Sequence, residues 1–272
     1  MNPVGKTRGP RVLAVVPARL SSTRLPRKML LRESGRYLFQ HTVEAIRRAV
    51  SVERVVVATD SDEVLAAARE VDIDAVPTSP EHPSGTDRVE EAVRVIRREG
   101  QSFDVVVNVQ GDEPELSPAD LELLVGAFDD PDVQVATLCA PIRLRDEVQD
   151  PAVVKVVTDA RGDALYFSRS PIPSLDHPSR PSRPGAPGLS GARRHVGVYA
   201  FRPSALERFC ALPPGALETT ESLEQLRWLE AGHRMRVLET AEAPAGIDTR
   251  EQYEAFLRRY SSRDPLQEIP TP

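Results

Sequence analysis

The sequence predicts an α/β fold: a mostly parallel, Rossmann-like sheet with helices on both faces and a smaller antiparallel lobe. Three observations predict it. Short apolar runs at 12–16, 54–59 and 103–109 have the length of strands covered on both faces. Segments with apolar residues at helical spacing alternate with them, as crossovers between parallel strands require. After about residue 133 the alternation stops. Strand-like runs at 133–139, 153–158 and 164–167 then follow one another without long helices, which indicates antiparallel pairing.

The first strand, 12–16, ends at Pro17 and opens into a polar loop carrying Arg19, Arg24, Arg27 and Lys28. Ser21, Ser22 and Thr23 lie between these cations, and no acidic residue precedes Glu33. A loop with no counter-charge of its own suits phosphate oxygens. The same residues fit a solvated basic loop, but open α/β sheets bind ligands beyond their strand ends, where this loop starts. A helix from about 37 to 50 follows, with Phe39, Val43 and Ile46 at helical spacing. The strand at 54–59 leads to Asp60 or Ser61 as the cap of a helix reaching about 71. A short strand at 73–76 ends in the loop 77–88, PTSPEHPSGTDR. Ser84 or Thr86 caps the next helix, 87–99, whose inward face is Val89, Val93 and Ile96.

The strand at 103–109 ends at Gln110-Gly111-Asp112-Glu113-Pro114, and a helix follows at 118–128. Residues 176–192 are rich in Pro, Gly and Ser and form a loop. A strand at 195–201, helices at 203–209 and 220–230, and a strand at 235–238 come next. Gly246-Ile247-Asp248-Thr249 then leads into a terminal helix, 250–260. The expected organisation is one domain over 11–260, with a lobe at about 133–201 and flexible tails at 1–10 and 261–272.

Composition excludes several classes. A net charge of −6 argues against a general nucleic-acid or membrane binder. The N-terminal segment has no apolar core for a signal peptide, and no apolar run reaches transmembrane length, so a cytoplasmic protein is expected. Cys139 and Cys210 fit no metal or redox spacing and read as reduced core residues. There is no G-x-x-x-x-G-K-[ST], G-x-G-x-x-G, G-x-S-x-G or His-Glu-x-x-His.

The loops at 17–28, 78–88 and 110–114 follow strands of the parallel part and therefore open at one edge. Asp112, directly after a buried strand and opposite an anion-binding loop, points to a Mg²⁺ ion shared by carboxylate and phosphate. Asp248 is the candidate second ligand. Each has a plainer reading: a turn residue for Asp112, a helix N-cap for Asp248. Gly111 is expected to take an unusual backbone angle and to allow close approach of a ligand. The hydroxyl-rich loop 77–88, just ahead of a helix, is where a ring can pack on backbone. His195 begins a strand after Arg193-Arg194 and reads by default as structural.

Taken together, VVPARLSSTRLPRKML, VVVATDSDEV, TSPEHPSGTDR, VVNVQGDEP, DPAVVKVV, ALYFSRSPIP, RHVGVYAFR, ESLEQLRWLE and GIDT, in this order from about Arg11 to Tyr260, resemble the 3-deoxy-manno-octulosonate (KDO) cytidylyltransferases. The resemblance implies a nucleotidyltransferase sheet and a homodimer joined through the antiparallel lobe. It implies that the sugar's anomeric hydroxyl attacks the α-phosphorus of CTP, giving CMP-KDO and pyrophosphate for lipopolysaccharide biosynthesis. Arg19, Arg24 and Lys28 would hold the CTP phosphates. Ala18, Thr78, Ser79, Ser84, Gly85 and Thr86 would surround the cytidine. Asp112 and Asp248 would bind Mg²⁺, with Arg19, Lys28 and Asp112 nearest the chemistry. Gln110, Arg169, His195, Tyr199, Glu224 and Gln225 would hold the sugar acid, Arg169 through its carboxylate. His195 and Tyr199 are evenly spaced on one strand and share a face. Glu224 and Gln225 are expected on the exposed side of a helix whose Leu223 and Leu226 point inward.

Two departures from the family pattern stand out. Arg27 occupies the position before the loop lysine where the family usually has Gly. Ser174-Leu175 follows the Ser-Arg-x-x-Ile-Pro motif where a Trp is common. The alternatives are a cytidylyltransferase for 8-amino-KDO or an acylneuraminate, or a non-catalytic nucleotide-binding module. The partners expected are CTP and a 2-keto-3-deoxy sugar acid, with no nucleic acid and no membrane insertion.

Overall fold

The computed structural model describes residues 9–20, 22, 24–174 and 191–262. Its centre is β1 (Val12–Pro17), all six residues of which are buried. β1 pairs in parallel with β2 (Val52–Thr59) on one side and with β4 (Val105–Asn108) on the other. β3 (Ala75–Pro77) adds in parallel outside β2. A strand paired on both edges and covered on both faces has room only for apolar side chains, which is why these strands read as unbroken Val-rich runs.

The rest of the sheet mixes directions. β8 (Arg193–Phe201) lies antiparallel between β4 and β5 (Val135–Pro141). β9 (Arg236–Glu239) closes that side, parallel to β5. The order is β3-β2-β1-β4-β8-β5-β9. The segment 133–201, read from sequence as a lobe, thus extends the same sheet through β5 and β8. Only the antiparallel pair β6 (Lys155–Thr158) and β7 (Ala164–Ser168) branches away, joined to the first residues of β8.

The helices cover both faces. Val12, Ala14 and Val16 meet α1 (Leu38–Arg47) through Phe39, Val43 and Ile46, together with α2 (Asp62–Glu70) and α4 (Pro118–Gly126). Leu13 and Val15 face the opposite layer, where α3 (Gly85–Arg98) brings Val89 and Ile96 and α6 (Pro203–Ala211) brings Leu206 and Phe209. Each such side chain, fully removed from water, stabilises by about 1.5–3 kcal/mol. A third cluster, of Leu25, Leu38, Ile247, Tyr253 and Phe256, seats α9 (Arg250–Ser262) against the basic loop.

Several boundaries differ from the sequence expectation. Ser61 and Ser84 are the caps of α2 and α3, accepting from Val64 N and Asp87 N. A five-residue α5 (Arg145–Gln149) has too little periodicity to be predicted. The helix expected over 220–230 is two, α7 (Ala216–Glu221) and α8 (Gln225–Glu230), because Ser222 turns left-handed at φ 53°. Ser261 and Ser262 belong to α9 rather than to a tail. Of the tails expected at 1–10 and 261–272 and the loop expected over 176–192, residues 1–8, 263–272 and 176–190 fall outside the described residues.

Candidate active site

The basic loop leaves β1 at the centre of the sheet and is anchored by Leu25, buried beside Ile247. A 3₁₀ turn (Lys28–Leu30) follows, closed by Leu31 N donating to Lys28 O at 3.1 Å. From this turn Lys28 points inward. Its ammonium donates to Asp112, to Asp248 Oδ1 at 2.9 Å and to the Ile247 carbonyl at 3.2 Å. Burial opposes the charge on Lys28, but the two carboxylates outweigh it and raise its pKa. The two acids are fixed relative to each other by Ile247 N, which donates to Asp112 O at 2.9 Å. Arg24 Nη2 stands 2.9 Å from the other Asp248 oxygen. The loop that lacked a local counter-charge therefore receives its carboxylates from the ends of β4 and of the approach to α9.

These groups line a cleft of about 640 Å³. Of the residues proposed from sequence, Arg19, Arg24, Lys28, Asp112 and Asp248 line it. Ser84 and Gly85, at the start of α3, face them with Gln110. A 14-residue helix presents its N-terminus there, a favourable place for anionic groups. Ala18, Thr78, Ser79 and Thr86 do not line the cleft; the Ala18 N–H is already spent on Ala58 O at 2.9 Å. Gly111 does not take the unusual backbone angle expected of it, since its φ is not positive. A side chain there would be crowded, since a Cβ would come within 2.7 Å of Met29 Sδ, which would have to move, and 3.3 Å of Pro17 O.

Arg27 does not enter the cleft. Its φ is 57°, the left-handed region in which glycine is at ease, and its guanidinium turns away to Glu63 on α2. The glycine expected here from the family pattern thus has a backbone reason.

A second group lies deeper. Gln110 Nε2 donates to Asn108 Oδ1, and Asn108 Nδ2 donates to Thr86 Oγ1, both at 3.3 Å. Thr86 in turn donates to Glu224. His195 and Tyr199 do share a face, with ring centroids 5.4 Å apart. Burial pulls the His195 pKa down to about 3, and Thr137 Oγ1 lies 2.9 Å from its Nε2. Burial, with Glu224 nearby, pushes Tyr199 well up, and burial also raises Glu224 against the hydroxyls of Thr86 and Ser84. The exposed helix side expected for Glu224 and Gln225 is wrong. Gln225 is 3% exposed with its Nε2 unpaired, because the break at Ser222 folds α8 inward.

Arg169, at the end of β7, donates from Nε to Glu221 O at 2.8 Å and from Nη1 to Pro151 O at 3.0 Å. Its guanidinium is built into the junction between α7 and the turn before β6. Lys155, fully buried, braces the same junction by donating to the carbonyls of Asp150, Val153 and Arg169. Sequence reasoning missed Lys155, and the only signal was a cation inside an apolar strand. It also missed Arg88, which lines the cleft while 3% exposed, donating to Thr78 Oγ1 at 2.5 Å and lying 3.3 Å from Asp60. Arg88 falls at a helical position that periodicity alone leaves unremarked.

Among the described residues, no three His, Cys, Asp or Glu side chains form a metal-ligand set, and no helix is long and apolar enough to cross a membrane. Asp112 and Asp248, two oxygen donors meeting on one ammonium, fit Mg²⁺, which takes one or two carboxylates plus phosphates.

Comparison with known proteins bears on this geometry. A family model described as cytidylyltransferase matches residues 13–237. A 3-deoxy-manno-octulosonate cytidylyltransferase of Anaeromyxobacter sp. is 48% identical over 241 residues, covering 89% of this chain and 93% of that one. One from Chlorobaculum parvum is 43% identical over 258 residues, covering 93% and 98%. The solved structure of a CMP:2-keto-3-deoxy-manno-octonic acid synthetase complexed with CTP is similar at a TM-score of 0.82 and 39% identity, over 95% of this chain and 100% of that one. A nucleotidyl transferase from Methanothermobacter thermautotroptrophicus, at 19% identity and a TM-score of 0.58, shares the fold alone.

Proposed function

The chain belongs to the 3-deoxy-manno-octulosonate cytidylyltransferases, and on that premise we propose that it transfers CMP from CTP to KDO, releasing pyrophosphate, in lipopolysaccharide biosynthesis. The observation that carries the reading is Lys28 held between Asp112 and Asp248 beneath the cationic loop.

The sugar's anomeric oxygen bonds to the α-phosphorus, the bond from that phosphorus to the bridging oxygen breaks, and the hydroxyl proton passes to solvent. Such a transfer needs positioning and charge neutralisation more than covalent help. Arg19, Arg24 and Lys28 line one wall and hold the triphosphate, with Lys28 stabilising the charge on the departing pyrophosphate. Ser84 and Gly85 would receive the nucleoside, and Ala18, Thr78, Ser79 and Thr86, which do not line the cleft, would lie around the cytidine only outside its wall. Mg²⁺ would be held by Asp112 and Asp248 and would supply Lewis-acid neutralisation of the phosphate oxygens. Gln110 faces the sugar. Arg169, His195, Tyr199, Glu224 and Gln225 would hold the sugar acid, although none of the five lines the cleft itself; the unpaired Gln225 Nε2 is a donor in want of an acceptor. Burial keeps His195 neutral, so it serves as a hydrogen-bonding group and not as a strong base. The reading includes a cytoplasmic homodimer joined through the antiparallel side.

The test is pyrophosphate release from CTP with KDO, 8-amino-KDO and N-acetylneuraminate, each with and without Mg²⁺. Mg²⁺-dependent release, fastest with KDO, is expected. Absence of release with either octulosonate refutes the enzyme reading, and CTP binding without turnover leaves a nucleotide-binding module.

A further inference from the structure

We propose that the Arg27–Glu63 ion pair is a strap that holds the basic loop in the turn from which Lys28 reaches Asp112 and Asp248. Arg27 and Glu63 are then positioning residues for Lys28, remote from the reacting atoms.

Three observations carry this. Arg27 sits at φ 57° and ψ 25°, a conformation that a residue with a Cβ disfavours. Its carbonyl accepts from Leu30 N at 2.9 Å, so the inverted residue starts the 3₁₀ turn that bears Lys28. Its guanidinium grips Glu63 with both terminal nitrogens, Nη1 at 3.0 Å from Oε1 and Nη2 on Oε2. The partner is well founded. Glu63 lies in the first turn of α2, whose N-terminus is capped by Ser61 and favours an acid there.

The balance of these terms makes the strap consequential. The side chains of Arg27 and Glu63 are 57% and 54% exposed, so their pairing is weak and screened by salt. A left-handed residue other than Gly carries strain of similar size. With the pair, the turn is held. Without it, the strain is uncompensated, the backbone at Arg27 relaxes to a right-handed or extended form, and Lys28 is carried off its two carboxylates. Glycine at this position needs no strap because it adopts the left-handed form freely.

That logic gives a test with an internal control, using Glu63→Gln, Arg27→Ala, Arg27→Gly and the double variant Glu63→Gln/Arg27→Gly in the full chain. Amide hydrogen exchange at Leu30 and Leu31 reads the turn, and the KM for CTP and kcat read the site. Glu63→Gln and Arg27→Ala are expected to speed exchange at both amides and to raise the KM for CTP about fivefold, the weight of one left-handed residue, with a smaller change in kcat. Arg27→Gly and the double variant are expected to stay within about twofold of the wild type, the rescue by Gly being what a direct phosphate contact by Arg27 would not allow. Arg27→Gly as impaired as Arg27→Ala, or unchanged exchange in Glu63→Gln, overturns the strap. The inference rests on the proposed role of Lys28, but exchange decides the strap and turnover with CTP decides the function, so the two fail separately.

Discussion

Asp248→Asn preserves the side chain's size while removing its charge, and it separates two roles that the geometry superimposes on this residue. One Asp248 oxygen lies 2.9 Å from Lys28 Nζ and the other 2.9 Å from Arg24 Nη2. The Asp248 side chain is 40% exposed and that of Arg24 66% exposed, so the Arg24 pair contributes at most ~1 kcal/mol. The asparagine oxygen still accepts from Lys28, so the structural loss stays near ~1 kcal/mol, a fall of roughly 2–4 °C in Tm. The effect on a cation is of another order. Half of the carboxylate charge available to Mg²⁺ disappears, and the half-saturating Mg²⁺ concentration should rise at least about tenfold. Pyrophosphate release at saturating CTP and KDO across a Mg²⁺ series, run beside thermal unfolding, reads both quantities on one sample. A small Tm shift with an unmoved Mg²⁺ curve would show that Asp248 only pairs with Lys28 and Arg24, and the metal assignment would fall.

Arg169→Ala should raise the KM for the sugar acid by about tenfold or more while the KM for CTP changes little, since on the proposed reading the guanidinium exchanges its bonds to the Glu221 and Pro151 carbonyls for the sugar carboxylate on binding; equal weakening of both substrates contradicts the role. Lys155→Met fills the same space without donors and leaves three part-buried carbonyls without this partner, so stability should fall by about 1–3 kcal/mol, roughly 2–12 °C in Tm, and an unchanged Tm would refute the bracing role. His41 packs its ring edge on Phe256 and Tyr260, and burial first, then Arg36 and Arg48, lowers its pKa to about 4. Its folded pKa lies below the unfolded value near 6.5, so the protein binds that proton less readily when folded. The stability this represents is full above about pH 6.5 and drains as pH falls towards about 4, up to ~3 kcal/mol in all. His41→Leu should flatten the slope of Tm between pH 6.5 and 4, and an unaltered slope places the titration elsewhere.

The parallel half was legible because its physics is local. A strand with neighbours on both sides and helices on both faces must be apolar throughout, and β1, β2 and β4 declare themselves that way. The insertion of β8 between β4 and β5 was not legible, because nothing in the local pattern of β8 says which strand it pairs with. The break at Ser222 was equally hidden, since a single left-handed serine leaves no mark on helical periodicity, yet it turns Gln225 from a surface residue into a buried one. In the site, Asp112 was readable as an acid at the end of a buried strand. Its tie to Asp248 was not, because the link is a backbone bond from Ile247 across about half of the chain. Gly111 lines the cleft, as expected of a residue that lets a ligand come close, but without the unusual backbone angle: its φ is not positive, and a Cβ there would crowd Met29 and Pro17.

The basic loop looked uncompensated because its compensation is entirely non-local. Glu63, Asp112 and Asp248 arrive from three different elements to meet Arg27, Lys28 and Arg24. This alternation changes what the cleft asks of a ligand. A bare cationic hole would attract any polyphosphate. Here a triphosphate approaching Lys28 also approaches two carboxylates, and unit charges about 4 Å apart near a protein surface repel by roughly 4 kcal/mol at an effective dielectric of about 20. Asp112 and Asp248 would hold a divalent cation, whose charge would offset that repulsion, and Lys28 would then be free to turn to phosphate. On the proposed reading, then, the carboxylates that hold Lys28 ready are also what makes the site discriminate against nucleotide arriving without its metal. Nucleotide and metal should each tighten the binding of the other by the same factor, as linkage requires.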